Sequence, residues 1–94
     1  MIKSFKHKGH EKFYLSGSTK GIQVVHQRKL SHILIALDNA YQINDLKLPG
    51  FNLHPLKGDL KGLWAITVQA NWRVTFEFNE KTKEAHIVDY QDHH

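Results

Sequence analysis

The sequence predicts an α+β fold in which two N-terminal helices pack on an antiparallel β-sheet. One observation is a helical repeat of apolar residues within the segment 21–42, and the other is an alternation of apolar and polar residues that starts at Leu63. Helices followed by a run of consecutive hairpin strands are typical of helices that cover one face of a sheet. The 94 residues suffice for one modest core, so we expect a single domain, 1–94.

Two segments in the first half of the chain predict the helices. KGHEKFYLSG predicts a short helix that turns Phe13 and Tyr14 inward, with His10 as a further inward candidate. The segment SGST follows as a break, with Ser18 or Thr19 as candidate N-cap of the second helix. That second helix carries a clear apolar face at positions i, i+3, i+4, i+7 and i+11, formed by Leu30, Ile33, Leu34, Leu37 and Tyr41.

The remaining apolar patterns predict short strands. IKSF can begin the chain as a strand, and FNLH can form another after the LPG turn. The central pair has Trp64, Ile66 and Val68 on one strand and Trp72, Val74, Phe76 and Phe78 on the next. QAN joins that pair, NEKTKE forms a charged hairpin loop, and AHIVDYQ predicts the last strand.

Charge and composition restrict the classes of function. The formal net charge is +4; residues 1–37 hold seven Lys and Arg with one acid, whereas 38–94 hold six with eight acids. A basic surface favours a polyanion such as nucleic acid, although a solvated lysine-rich face has the same composition. The absence of cysteine excludes disulfides and a thiol nucleophile. We find neither a signal peptide nor a membrane helix, and we expect a cytoplasmic protein.

The alternation also predicts which polar side chains face away from the helices. Because the even positions of 72–78 are apolar, Arg73, Thr75 and Glu77 belong to the other side of the sheet. The loop NLHPLKGDLKG brings His54, Lys57 and Lys61 to the same region. These cationic groups and Arg73 are suited to an anion such as phosphate, whereas the alternative is a polar flexible connector.

The final strand places polar residues near the end of the chain. Asp92 and His94 share parity with Val88 and Tyr90, if the strand stays regular, and His93 has the opposite parity. A histidine beside a carboxylate is a natural proton carrier at neutral pH.

Four stretches together resemble one protein family: MIKSFKHKG, LHPLKGDLKGLWAITV, NWRVTFEF and the ending DYQDHH. They are similar to the HigB toxins of bacterial toxin–antitoxin pairs, in the RelE/ParE superfamily. The resemblance implies a microbial ribonuclease fold and a ribosome-dependent endoribonuclease that cuts mRNA in the decoding site by attack of the 2′-OH on the adjacent phosphate. It also implies neutralisation by a HigA-type helix-turn-helix antitoxin, and we expect no cofactor, no metal and no membrane partner.

The resemblance also implies catalytic residues, matched by position: His54, Lys57, Arg73, Asp92 and His94. Arg73 and Lys57 can hold the phosphate oxygens, His94 or His54 can carry the proton, and Asp92 can orient a neighbour. We favour His94 as the proton-transfer residue, without assigning it as acid or base.

Four residues are expected to bind RNA: Lys57, Lys61, Arg73 and His93. The family has a tyrosine where this chain has His93, so here an imidazole stands where the family has a phenol ring to stack on a base.

Two other classes of function remain open from the sequence. A metal site could start from the pairs His7/His10 or His93/His94, but no known ligand spacing supports it. The chain could also be a non-catalytic basic toxin that binds RNA or a protein such as DNA gyrase. We expect His26 and His32 on the surface or boundary of the second helix, and Trp64 and Trp72 in the core.

Overall fold

The computed structural model describes residues 1–92 and contains two helices and a four-stranded antiparallel sheet. The helices are α1 (Lys8–Ser16) and α2 (Gln27–Asn39). The strands are β1 (His54–Pro55), β2 (Trp64–Gln69), β3 (Trp72–Asn79) and β4 (Glu84–Asp92), and they lie side by side in chain order. This architecture confirms the α+β prediction.

The helices do not begin the chain. Residues near the N-terminus first pair in parallel with β4, through the bridges Ile2 to Ala85 and Phe5 to Val88. The chain therefore adds an extended segment beside the last strand before it enters α1. The segment IKSF, predicted to start a strand, forms only two isolated bridges, and both helices follow it.

Local capping explains where α1 begins and ends. The Nδ1 atom of His7 accepts a hydrogen bond from the backbone N–H of His10 at 2.9 Å, which satisfies one of the free donors at the helix start. The helix ends at Ser16 and is capped by Gly17, whose left-handed φ of 75° costs little because glycine has no side chain.

The second helix is shorter than predicted. Its face of Leu30, Ile33, Leu34 and Leu37 is buried as predicted, but the helix ends at Asn39. Tyr41 lies beyond that end and is 69% exposed, so its assignment to the apolar face was wrong. The N-cap prediction was wrong too, because a 3₁₀ turn, Val24–His26, leads into α2 and His26 stands at the cap position.

The core lies between the helices and one face of the sheet. The sheet contributes Ile66, Val74, Phe76 and Val88, none of which is exposed. Burial of each such side chain stabilises the fold by roughly 1.5–3 kcal/mol. Trp64 and Trp72 are half-buried against this core.

A β-bulge changes the phase of β4. The pairing with β3 shifts between Thr75 and Glu77, and Ile87 adopts a φ of 48°, which is unusual for a β-branched residue. The shift explains why Ala85 and Val88, which differ in parity, are both buried. After the bulge, Val88 and Tyr90 face the core.

Candidate active site

The face of the sheet turned away from the helices carries two rows of residues at matching register. In the first row His54, Ala65, Thr75 and Asp89 stand opposite one another across the four strands. In the second row Thr67, Arg73 and Gln91 are partners across β2, β3 and β4. Directly opposed residues of antiparallel strands share a face. The structure therefore brings His54 and Arg73 to the same side of the sheet in neighbouring rows.

Arg73 is buried on this face. It is 8% exposed, although an arginine on the outer face of a sheet is normally solvated. Its Nε–H has no hydrogen-bond partner among residues 1–92. Such a group is costly to leave unpaired in a folded protein and is commonly explained by a function. This unsatisfied donor makes Arg73 the candidate anion-binding group of this face.

Thr75 and Gln91 form the polar surroundings of Arg73. Gln91 is the register partner of Arg73, and its amide Nε2–H donates to the Thr75 hydroxyl oxygen at 3.0 Å. Thr75 is 2% exposed, so this bond fixes Gln91 against a buried hydroxyl. The alternation in 72–78 placed Thr75 on this face. Gln91 was not among the predicted site residues, although its parity, opposite to that of Tyr90, indicates the same face; its pairing with Arg73 is set by the β3–β4 register.

His54 is held in one tautomer by the backbone. It lies in β1 and is half-buried, and its Nδ1 stands 2.8 Å from the carbonyl oxygen of Asn52. A carbonyl can only accept, so Nδ1 carries the hydrogen. In the neutral ring the lone pair is then on Nε2, where it can accept a proton.

Lys57 and Lys61 flank the 3₁₀ turn Gly58–Leu60 in the connection between β1 and β2. Both are exposed, and the ends of the connection are tied by the Leu56 N–H, which donates to the Leu63 carbonyl at 2.9 Å. The lysines therefore extend from a closed loop beside His54, where they add positive charge without a rigid donor geometry.

Asp92 lies on the other side of the sheet from Arg73. It pairs with Trp72, the neighbour of Arg73, and so shares the face of Val74 and Tyr90. Asp92 is the last residue described, and it is exposed at the strand end. The predicted site residues His93 and His94 lie outside the described residues, and their roles stay predictions.

Comparison with known proteins decides the family. The chain matches the family described as RelE-like toxin of type II toxin-antitoxin system HigB over residues 3–94. It is also 45% identical over 94 residues to a Proteus vulgaris protein named Endoribonuclease HigB, with 100% of both chains covered. The chain belongs to the HigB-like toxin family. The predicted resemblance is confirmed, and a protein of such a family has an antitoxin as its partner.

Solved structures support the fold of this HigB-like chain. The crystal structure of a YafQ mutant from E. coli matches with a TM-score of 0.65 at 22% identity, over 98% of this chain and 91% of that one. The YoeB–YefM complex from Staphylococcus aureus matches with a TM-score of 0.65 at 15% identity, over 100% and 97% of the two chains. At these identities the likeness concerns the fold.

The histidines of the HigB-like chain are distributed differently from the prediction. His26 is 1% exposed, so the expectation of a surface or boundary position was wrong. His10 is fully buried, as the inward candidate of α1, and its two ring nitrogens have no partner among residues 1–92. Burial, reinforced by the neighbouring His7, lowers the pKa of His10 to about 4. Within that described part, no group of three or more His, Asp or Glu residues is placed to hold a metal ion.

Proposed function

We propose that this HigB-like toxin is an endoribonuclease that cuts translated mRNA in the decoding site of the ribosome. The relationship to Endoribonuclease HigB of Proteus vulgaris supports the activity. The observation that carries the proposal is Arg73, a buried guanidinium whose Nε–H is unpaired among residues 1–92, on the same sheet face as His54. A buried donor that is unpaired within residues 1–92, on the same sheet face as an imidazole whose Nδ1–H is engaged by the backbone, suits cleavage of a phosphodiester.

Arg73 stabilises the charge that develops on the phosphate. Its planar donors match two phosphate oxygens, and burial strengthens that interaction because water competes less. Lys57 assists from the loop as a point charge, and Lys61 attracts the RNA backbone. Removal of one such stabilising donor typically costs on the order of 10²–10³ in rate.

The proton transfers require one base and one acid. The ribose 2′-oxygen attacks phosphorus and loses its proton, the P–O5′ bond breaks, and the 5′-oxygen gains a proton, which leaves a 2′,3′-cyclic phosphate. His54 fits the base, since its Nδ1–H is engaged by Asn52 and its Nε2 is the proton acceptor. We assign His94 as the donor of the proton to the 5′-oxygen. Asp92 lies on the core side of β4, so its proposed role is to orient His94 and not to contact the phosphate held by Arg73. His93 contacts an RNA base with its imidazole ring.

The proposed partners follow from the family and the charge. We propose a HigA-type helix-turn-helix antitoxin as the protein that neutralises this toxin. The S. aureus neighbour of similar fold was solved as the YoeB–YefM complex. Within residues 1–92 no helix has the length and apolar character needed to span a membrane. We propose the cytoplasm, where translated mRNA is found, as its place of action.

A ribosome-programmed cleavage assay tests this function. Purified protein is incubated with a defined mRNA, either free or bound to ribosomes with the coding frame in place, and the product ends are analysed. We expect cuts only with ribosomes, with 2′,3′-cyclic phosphate on the upstream fragment, and loss of these cuts in His54→Ala. Absence of cleavage on ribosomes contradicts the proposal and favours the non-catalytic binder. A 3′-hydroxyl on the upstream fragment contradicts the proposed attack by the 2′-OH and indicates a different cleavage mechanism.

A further inference from the structure

Three distant parts of the chain meet at the buried side chain of His26. Its Nδ1 lies 2.6 Å from the hydroxyl oxygen of Tyr90 in β4. Its Nε2 lies 3.1 Å from the side-chain oxygen of Gln69, at the end of β2. His26 itself is the last residue of the 3₁₀ turn and the N-cap of α2. One imidazole therefore joins the helical layer to two strands of the sheet.

When the His26 ring is neutral, the hydrogen atoms in this group have one consistent arrangement. Gln69 presents an oxygen, which only accepts, so the His26 Nε2 carries the hydrogen. The neutral His26 Nδ1 then accepts, and the Tyr90 hydroxyl donates to it. Burial raises the pKa of Tyr90, which keeps that hydroxyl protonated. The backbone N–H of Gln23 donates to the Tyr90 oxygen at 3.5 Å.

Besides the ring of His26, the aromatic ring of Tyr90 contacts three other rings among residues 1–92. Trp72 stacks on it with a centroid distance of 4.6 Å and an interplanar angle of 30°. His7 and His10 contact the ring at 5.4 and 5.9 Å. Trp72 is also the register partner of Asp92. His26, Trp72 and Tyr90 therefore pack together on the core side of the sheet, at the C-terminal end of β4.

The end of β4 carries the residues that the proposed cleavage requires. Gln91, beside Tyr90, is the register partner of Arg73, and Asp92 follows. A displacement of about 1 Å in such a strand end can cost on the order of 10²-fold in rate, because the reacting groups lose their alignment. A bond that fixes Tyr90 to the helical layer limits this displacement.

We propose that His26 and Tyr90 are positioning residues for the cleavage reaction. They hold the C-terminal end of β4 in place through the Tyr90 hydroxyl and the His26 Nδ1, without contact with substrate. This inference rests on the proposed endoribonuclease function. It assigns a task to a histidine whose helical position had indicated only a surface or boundary residue.

The key variant is Tyr90→Phe, which keeps the ring on Trp72 and removes the hydroxyl. The matched control is Tyr14→Phe, since the Tyr14 hydroxyl donates to the Asp38 carboxylate at 2.9 Å between α1 and α2, and this bond involves neither His26 nor Tyr90. Two further variants separate bonding from packing. His26→Asn keeps an acceptor near the position of Nδ1, whereas His26→Gln keeps only a polar group near Nε2.

Ribosome-programmed cleavage is measured at 25 °C for variants shown by circular dichroism to be folded. We expect kcat to fall about tenfold in Tyr90→Phe and His26→Gln, with KM unchanged within about twofold. His26→Asn and Tyr14→Phe should retain most of the wild-type kcat. In ¹⁵N-labelled protein, the amide resonance of Asp92 should shift or broaden in Tyr90→Phe, while that of Leu37 stays in place.

The experiment distinguishes a failure of the positioning role from a failure of the proposed endoribonuclease function. If the wild-type protein cuts and Tyr90→Phe cuts equally fast, or if His26→Asn and His26→Gln lose activity alike, the positioning role is wrong and the endoribonuclease function stands. If the wild-type protein does not cut on ribosomes, the proposed function itself fails. The Asp92 resonance then still decides whether the Tyr90 hydroxyl fixes the end of β4.

Discussion

Arg73 and Asp92 lie on opposite faces of the sheet, although they are close along the β3–β4 ladder. Arg73 pairs with Gln91, and Asp92 pairs with Trp72 on the core side. This register turns the Asp92 carboxylate away from the face that carries the guanidinium. Arg73 keeps its Nε–H without a partner among residues 1–92, and we expect this cost in stability to serve phosphate binding.

Replacement of Arg73 by methionine should separate stability from activity. Methionine fills similar space and removes a buried donor that lacks a partner within residues 1–92, so the free energy of unfolding should rise by about 1 kcal/mol. Cleavage on ribosomes should fall on the order of 10²-fold or more, because the phosphate loses its planar donor. Urea unfolding and the cleavage assay measure the two effects. A less stable Arg73→Met protein would show that Arg73 has a structural role in the free toxin.

Replacement of His54 by alanine should reduce kcat with little effect on folding. The side chain is half-buried at a two-residue edge strand, and its loss as proton acceptor should cost on the order of 10²–10⁴-fold. His32→Ala is the matched control, since His32 is exposed on α2. Equal cleavage rates for the two variants would remove His54 from the reaction.

The stability of the fold should fall below pH 6.5 because of His10. Its pKa is lowered to about 4 in the folded protein, mainly by burial, so the unfolded chain binds more protons between these values. Above pH 6.5 the protonation of His10 does not lower the free energy of unfolding. As the pH falls from 6.5 towards 4, the free energy of unfolding decreases, by about 3 kcal/mol as an upper estimate.

Urea unfolding at pH 7 and pH 4.5 measures this loss for the wild type and for His10→Phe. Phenylalanine retains an aromatic ring next to Phe5, which His10 contacts edge to face at 5.3 Å. We expect the variant to lose markedly less stability at pH 4.5. An identical pH dependence would mean that other groups cause the acid sensitivity.

The lysines of the β1–β2 loop should contribute to RNA affinity through charge alone. The double variant Lys57→Ala/Lys61→Ala should weaken binding of a short single-stranded RNA and lower the slope of log K against log salt by about 0.7 for each phosphate that is no longer neutralised. Fluorescence anisotropy at several salt concentrations measures that slope. Lys12→Ala/Lys20→Ala removes the same charge from other exposed positions. An equal decrease in slope for both pairs would indicate a diffuse charge effect instead of direct binding by the loop.

The sequence predicted those features that depend on neighbouring residues. The apolar alternation in 72–78 placed Arg73 and Thr75 on the face away from the helices, and the helical period located the buried face of α2. The burial of Arg73 could not be predicted, because it depends on how strands and loops distant in sequence come together.

Two features of β4 and its contacts could not be predicted from the sequence either. The bulge at Ile87 has no sequence signal, since an isoleucine with φ of 48° contradicts local preference. The bond between His26 and Tyr90 joins residues 64 positions apart. Parity with Val88 and Tyr90 did indicate the core side for Asp92, and the assignment of Asp92 to the same catalytic set as Arg73 did not take this into account.

The most direct test of the proposed mechanism is a map of new mRNA 5′ ends in cells that express the protein from a tightly controlled promoter. Wild type, Arg73→Ala and the control Arg28→Ala, an exposed arginine on α2, are compared at equal protein levels. We expect growth arrest and cuts confined to translated reading frames for wild type and Arg28→Ala, and neither for Arg73→Ala. Growth arrest without cuts, or cuts that persist in Arg73→Ala, would contradict the assignment of Arg73 as the phosphate-binding residue of an endoribonuclease.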